Sequence, residues 1–213
     1  MRKHIERLHY ISHEFAPLSQ VEQILQVCQA GAKWVQYRSL KKSEAAIRED
    51  IAEIANICDD WGTTLIVTDH IHLKGELDIQ GFHIDDPGVS IGAMRKSLGD
   101  EFILGASATN LKQVIQHAQD GADYIGLGPF KPSITKPNTF ELLTVEDYNS
   151  ILQDLKAVNL EVPILAVGGI QLSDVAELFN TGIHGIAISA SIYNAPSIES
   201  SYSDFYKAIL DVT

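Results

Sequence analysis

The chain has 213 residues, 45% of them hydrophobic and 21% charged, a composition that excludes intrinsic disorder and a fibrous repeat. The 16 Lys and Arg residues against 28 Asp and Glu give a formal charge of −12, so the average field repels nucleic acid and anionic lipid. An anionic small molecule could still be held by helix N-termini, a few local cations or a divalent metal. No window approaches the roughly 18 apolar residues of a membrane span, and a cytoplasmic location is expected.

The chain alternates short β-rich runs with longer amphipathic ones. A strand at 7–13 precedes a helical pattern at 19–30, and a strand at 33–38 precedes one at 42–60. Strands at 63–68 and 80–84 are separated by a short helical pattern at 71–77, and 89–98 follows. Next come a strand at 101–106, a helix at 110–119, a strand at 123–128 and a helix at 144–157. The last units are strand 162–167 with helix 171–180, then strand 184–189 with helix 198–210. Ser43, Asn110, Thr144 and Ser173 are expected as N-caps. Cys28 and Cys58 fall inside helical patterns without zinc spacing and read as core thiols.

Near-continuous apolar strands such as Leu65-Ile66-Val67 and Ile164-Leu165-Ala166-Val167 suit a parallel sheet covered by helices. Eight such units in this length predict a single α/β domain over residues 1–213, a (β/α)8 TIM barrel, in preference to an open doubly wound sheet. The repeated turns Gly31-Ala32-Lys33-Trp34-Val35, Gly121-Ala122-Asp123-Tyr124-Ile125 and Gly182-Ile183-His184-Gly185-Ile186 favour the closed form. No Gly-x-Gly-x-x-Gly follows a strand, which argues against a dinucleotide fold.

In a TIM barrel the chemistry lies where strands end. Gln36 and Arg38 share strand parity and suggest anion recognition, with an Arg38–Asp69 ion pair as the alternative. Asp69, Asp85 and Asp86 could hold Mg2+ against a diphosphate. His70, His72 and His83 lie near that corner without a His-x-x-x-His spacing, and read as packed or surface residues. Gly168-Gly169 and Ser189-Ala190-Ser191 occupy the usual place for a phosphate held on backbone N–H groups, although the glycines could serve only a tight turn. The long segment Gly128-Pro129-Phe130-Lys131-Pro132-Ser133-Ile134-Thr135-Lys136 offers mobile phosphate donors, with Gly128 allowing a ligand close to the backbone. Trp34 is expected in the core.

The blocks Gln36-Tyr37-Arg38, Thr68-Asp69-His70, Gly81-Phe82-His83, Gly128 to Lys136 and Val167-Gly168-Gly169 together resemble the thiamine phosphate synthase and thiazole tautomerase family over nearly the whole chain. The resemblance implies a transferase that joins hydroxymethylpyrimidine diphosphate to thiazole phosphate through a pyrimidine carbocation, releases pyrophosphate and uses Mg2+. It implies that Gln36, Arg38, Ser107 and Lys136 serve the pyrimidine diphosphate and Asp69 the metal, and Thr68 is a further substrate-binding candidate. Ser133, Thr135, Gly169, Ile188 and Ser189 would hold the thiazole phosphate. Arg38 and Lys136 are the expected catalytic groups.

Three positions depart from the family pattern. Leu40 stands where a lysine is expected, Thr68 where an asparagine is, and Gly88 where the second metal carboxylate is. Lys41 and Asp86 are the expected substitutes. The alternatives are a tautomerase-like enzyme, whose catalytic His position is here Pro129, and a non-catalytic barrel that binds phosphorylated ligands. The implied partners are small phosphorylated molecules, neither nucleic acid nor membrane, and a homo-oligomer is left open.

Overall fold

A computed structural model describes residues 3–132 and 140–213. Eight strands form a closed parallel barrel in sequential order: β1 (Leu8–Ile11), β2 (Trp34–Tyr37), β3 (Thr64–Thr68), β4 (Gly81–Ile84), β5 (Ile103–Ala108), β6 (Tyr124–Leu127), β7 (Ile164–Val167) and β8 (Gly185–Ile188). The barrel closes through the parallel pairing of Leu8, His9 and Tyr10 with Ile186, Ala187 and Ile188. Around it run α1 (Gln20–Gln29), α2 (Glu44–Trp61), α3 (Ile91–Leu98), α4 (Leu111–Gln119), α5 (Val145–Ala157), α6 (Val175–Asn180), α7 (Ala190–Tyr193) and α8 (Ile198–Leu210). The expected TIM barrel is therefore observed.

Local chemistry explains the boundaries. Ser43, Asn110 and Thr144 accept hydrogen bonds from first-turn N–H groups, as expected of N-caps. Ser173 does not. A 3-10 turn over Leu172–Asp174 precedes α6, and the Asp174 carboxylate instead accepts the Gln171 N–H at 2.9 Å. The helical pattern at 71–77 is likewise a single 3-10 turn, Ile71–Leu73, because the chain then folds back through a bridge between Lys74 and Leu77. β5 begins two residues later than expected and extends through Ser107 to Ala108. The repeated turns are structurally equivalent: Gly31, Gly121 and Gly182 end α1, α4 and α6 with φ of 92°, 95° and 89°, where a side chain would be strained.

Two separate apolar cores result. Outward strand residues such as Val35, Leu65, Phe82, Leu104 and Ile186 pack beneath the helices. Cys28 and Cys58 are free thiols buried in this outer layer. Inside the barrel, Ile5, Trp34, Ile66, Tyr124 and Leu165 form a second cluster. Gly105 makes room for it, since a Cβ there would lie 2.2 Å from the Tyr124 ring. The interior is thus sealed at one end by bulky groups, on which the buried His9 ring stacks 4.2 Å from Trp34, and the other end opens toward the strand C-termini.

Candidate active site

Above the sealed floor lies a cavity of about 520 Å3, lined by residues from strands or strand ends around the barrel, among them Gln36, Arg38, His83, Ser107, Gly169 and Ser189. The inward parity of Gln36 and Arg38 is as expected. Thr68, Asp69 and Asp86 lie outside this lining. Ser133, Thr135 and Lys136 fall outside the described residues.

One wall is a directed chain of hydrogen bonds. The Ser107 hydroxyl donates to Asp85 Oδ1 at 2.6 Å, so its oxygen is free to accept from His83 Nε2 at 3.1 Å. That proton assignment makes His83 Nδ1 the acceptor for the Tyr124 hydroxyl at 3.0 Å. Asp85 Oδ2 accepts from Arg38 Nε at 3.0 Å. Arg38 is seated from below: Gln20 Nε2 donates both to the Arg38 carbonyl and to Ser12 Oγ. The chain thus runs from a buried phenol to a guanidinium at the cavity rim. Burial holds the Tyr124 phenol well above its ordinary pKa, so the donor at its foot stays protonated.

The geometry replaces the alternative reading of Arg38, which pairs with Asp85 and not with Asp69. His83 is packed, one of the two readings expected of it, and its ring joins the hydrogen-bonded site wall. Parity could have found it, because His83 faces the same interior as Gln36, whose Nε2 donates to Thr68 Oγ1 at 3.0 Å in the next strand.

Asp69 sits at the end of β3 with φ of 61° and accepts the Asp85 N–H at 2.8 Å. Asp69 is exposed, yet crowding by the surrounding loops desolvates its carboxyl and raises its pKa; the Asp85 and Asp86 carboxylates add to this while their backbone N–H groups oppose it. Asp86 is exposed and accepts the Gly88 N–H at 2.8 Å. Leu40 is exposed, with its N–H bound to Glu14, and Lys41 lies over the Phe15 ring.

The opposite wall is shaped by glycines. Gly168 and Gly169 have φ of 95° and 62°, and the segment after β6 packs directly on them. Phe130 N–H donates to the Val167 carbonyl and Lys131 N–H to the Gly168 carbonyl, both at 2.9 Å. A Cβ at Gly169 would lie 2.5 Å from the Pro132 oxygen. The glycines therefore do more than turn the chain. Gly128 lines the cavity and is also required by the packing, since a Cβ there would lie 2.2 Å from the Val167 oxygen. Lys131 is committed as well, with Nζ 2.6 Å from the buried Asp174. Ser189 Oγ is buried and has no hydrogen-bond partner among the described residues.

A closed parallel barrel that gathers its polar side chains in one cavity at the strand C-termini has the site layout of an α/β-barrel enzyme. Residues 9–192 match the family model for thiamine monophosphate synthase. A thiamine-phosphate synthase of Bacteroides thetaiotaomicron is 34% identical over 88% of this chain and 90% of its own length. One from Flavobacterium johnsoniae is 35% identical over 87% and 88%. The chain belongs to the thiamine monophosphate synthase family, and the synthase reading of its sequence stands. The fold is shared with a thiamine phosphate pyrophosphorylase from Pyrococcus furiosus, at 20% identity and a TM-score of 0.84, covering 97% of this chain and 96% of that one.

Proposed function

We propose that the cavity joins hydroxymethylpyrimidine diphosphate to thiazole phosphate, releasing pyrophosphate. The observation that carries this reading is that one cavity unites a fixed guanidinium, Arg38, with a glycine-built wall at Gly169 and an unpartnered hydroxyl at Ser189. Two anionic substrates need two such devices in a protein of charge −12. In this reading Gln36 and Ser107 orient the pyrimidine, and Arg38 and Lys136 hold the diphosphate. Thr68 acts through Gln36. Gly169, Ile188 and Ser189, with Ser133 and Thr135, hold the thiazole phosphate.

The chemistry is substitution at the exocyclic methylene of the pyrimidine. Its bond to the diphosphate oxygen breaks, a bond to the thiazole nitrogen forms, and pyrophosphate leaves with the electron pair. Arg38 stabilises charge growing on the leaving oxygen, while the cavity holds the nitrogen in line with the methylene carbon. Asp69 and Asp86 fit a hard divalent cation: both are oxygen donors, and the Asp69 carboxyl, its pKa raised by desolvation and then by the neighbouring carboxylates, would gain from a cation beside it. They would hold Mg2+, which when bound neutralises the diphosphate and its leaving group. Two carboxylates are enough, since Mg2+ ordinarily takes its remaining ligands from substrate phosphate and water. A cytoplasmic biosynthetic role accompanies this reading.

The test is thiamine phosphate formation by the purified chain with both substrates and Mg2+, with and without chelator. Metal-dependent product is expected. Thiazole phosphate binding without product would replace this reading with a non-catalytic phosphate-binding barrel.

A further inference from the structure

Outside the cavity, three side chains from two separate segments converge. Among the described residues, Glu44, His70 and His72 form the one group of three histidine or acidic residues whose ligand atoms all lie within 4.8 Å of one another. We propose that they form a binding site for a transition-metal ion of the zinc class, held by two imidazoles and a carboxylate with water completing the shell. Imidazole donors favour such ions over Mg2+ and Ca2+, which take oxygen ligands. This proposal does not rest on the transferase reading.

The site is held in shape by contacts that need no metal. His70 and His72 flank Ile71 in the 3-10 turn, which is closed by the Leu73 N–H to the His70 carbonyl at 3.1 Å. Leu73 is fully buried and anchors that turn to the outer core. The two rings stand edge to face, 5.8 Å apart at 83°. Glu44 lies in the first turn of α2, capped by Ser43. Its Oε1 faces His72 Nε2 at 2.7 Å and accepts from Arg48 Nε at 2.9 Å. Arg48 would remain behind the carboxylate as an orienting donor, as partners of metal ligands commonly do.

Arg48 also pairs with Glu76, so its charge is offset and the patch stays net negative with neutral imidazoles. Glu44 and His72 are exposed and His70 is half-buried, so an ion can enter without opening the fold. His70 directly follows Asp69. The new site and the proposed Mg2+ carboxylate are therefore carried on one turn, with nitrogen-rich and oxygen-only donors selecting different ions.

Co2+ titration of the tag-free full chain in excess Mg2+ tests the proposal, because Mg2+ saturates an all-oxygen site and leaves the imidazoles available. One saturable equivalent with visible d–d bands, displaced by Zn2+, is expected. His72→Ala and Glu44→Gln should each weaken binding by about tenfold or more. His4→Ala, at an exposed histidine beside Glu6, should leave the titration unchanged. Zn2+ should raise the Tm of the native chain and not that of the first two variants, which also reads out whether those variants fold. The absence of a stoichiometric band, binding that survives both substitutions, or binding lost in His4→Ala would overturn the assignment.

Discussion

From β2 to β5 the cavity wall is tied together by side-chain hydrogen bonds that reach Tyr124 at the start of β6, whereas after β6 and β7 it is shaped by glycines whose backbone is closely packed. On the first side Arg38, Asp85, Ser107, His83 and Tyr124 each depend on the next for a hydrogen-bond partner. On the second side Gly168 and Gly169 let the loop after β6 lie against β7. A side-chain network is cooperative, so one loss disturbs its neighbours. A backbone wall is indifferent to most substitutions but intolerant of a Cβ where φ is positive. Leu40, Thr68 and Gly88, the departures from the family pattern, all lie on the side-chain half.

Arg38→Ala should be the sharpest blow to the first half. Removing a preorganised cation from a developing anion should cost about 100-fold or more in kcat/KM. It also removes the largely buried Arg38–Asp85 ion pair, costing about 1–3 kcal/mol of stability. Thiazole phosphate binding, measured calorimetrically, should be nearly unchanged. Parallel loss of both substrates would erase the proposed division of the cavity. Gly169→Ala is the matching attack on the second half. With φ at 62° and the Pro132 oxygen in the way, it should cost about 1–3 kcal/mol in thermal unfolding. The KM for thiazole phosphate should rise about tenfold, with the pyrimidine KM moving less.

The barrel was legible because its signals are local: eight apolar runs, capping residues and three equivalent glycine turns can each be read within a short window. The site was legible only in part. Arg38 and Asp85 are 47 residues apart, and only the register of β2 through β4 brings them together, so Asp69, nearer in the chain, was the partner a local window could offer as the alternative to anion recognition. His83 looked ordinary because its partners arrive from β5 and β6, 24 and 41 residues later. Lys131 sits among phosphate-binding residue types, but Asp174, 43 residues on, claims its ammonium. Inward parity on a closed barrel would have grouped His83 with Gln36 and Ser107, and it is the signal that went unused.

Ser107→Ala sharpens the account of the side-chain half. It removes the donor to Asp85 and the acceptor of His83 while leaving every charge in place, so a loss of about 1–3 kcal/mol is expected. Turnover should fall about tenfold, less than for Arg38→Ala, because the guanidinium remains and only its carboxylate partner is loosened. Tyr124→Phe, two hydrogen bonds further from the rim, should cost about 1 kcal/mol and leave activity within a few-fold. Equal losses for Ser107→Ala and Tyr124→Phe would mean that the chain acts only as packing, with no gradient toward the reacting groups.

Lys131→Met should have the smallest effect. Composition alone makes Lys131 a phosphate ligand, whereas the fold spends it on Asp174 at 2.6 Å. Its side chain is 41% exposed, so solvent screens the pair and its removal should cost no more than about 1 kcal/mol. Asp174 keeps the Gln171 N–H, which limits the penalty for the buried carboxylate. Steady-state kcat/KM for both substrates should stay within about twofold of the native chain, the scale of a surface substitution. A tenfold rise in either KM would return Lys131 to the phosphate site and require the loop after β6 to leave its contacts with Gly168 and Gly169 when substrate binds.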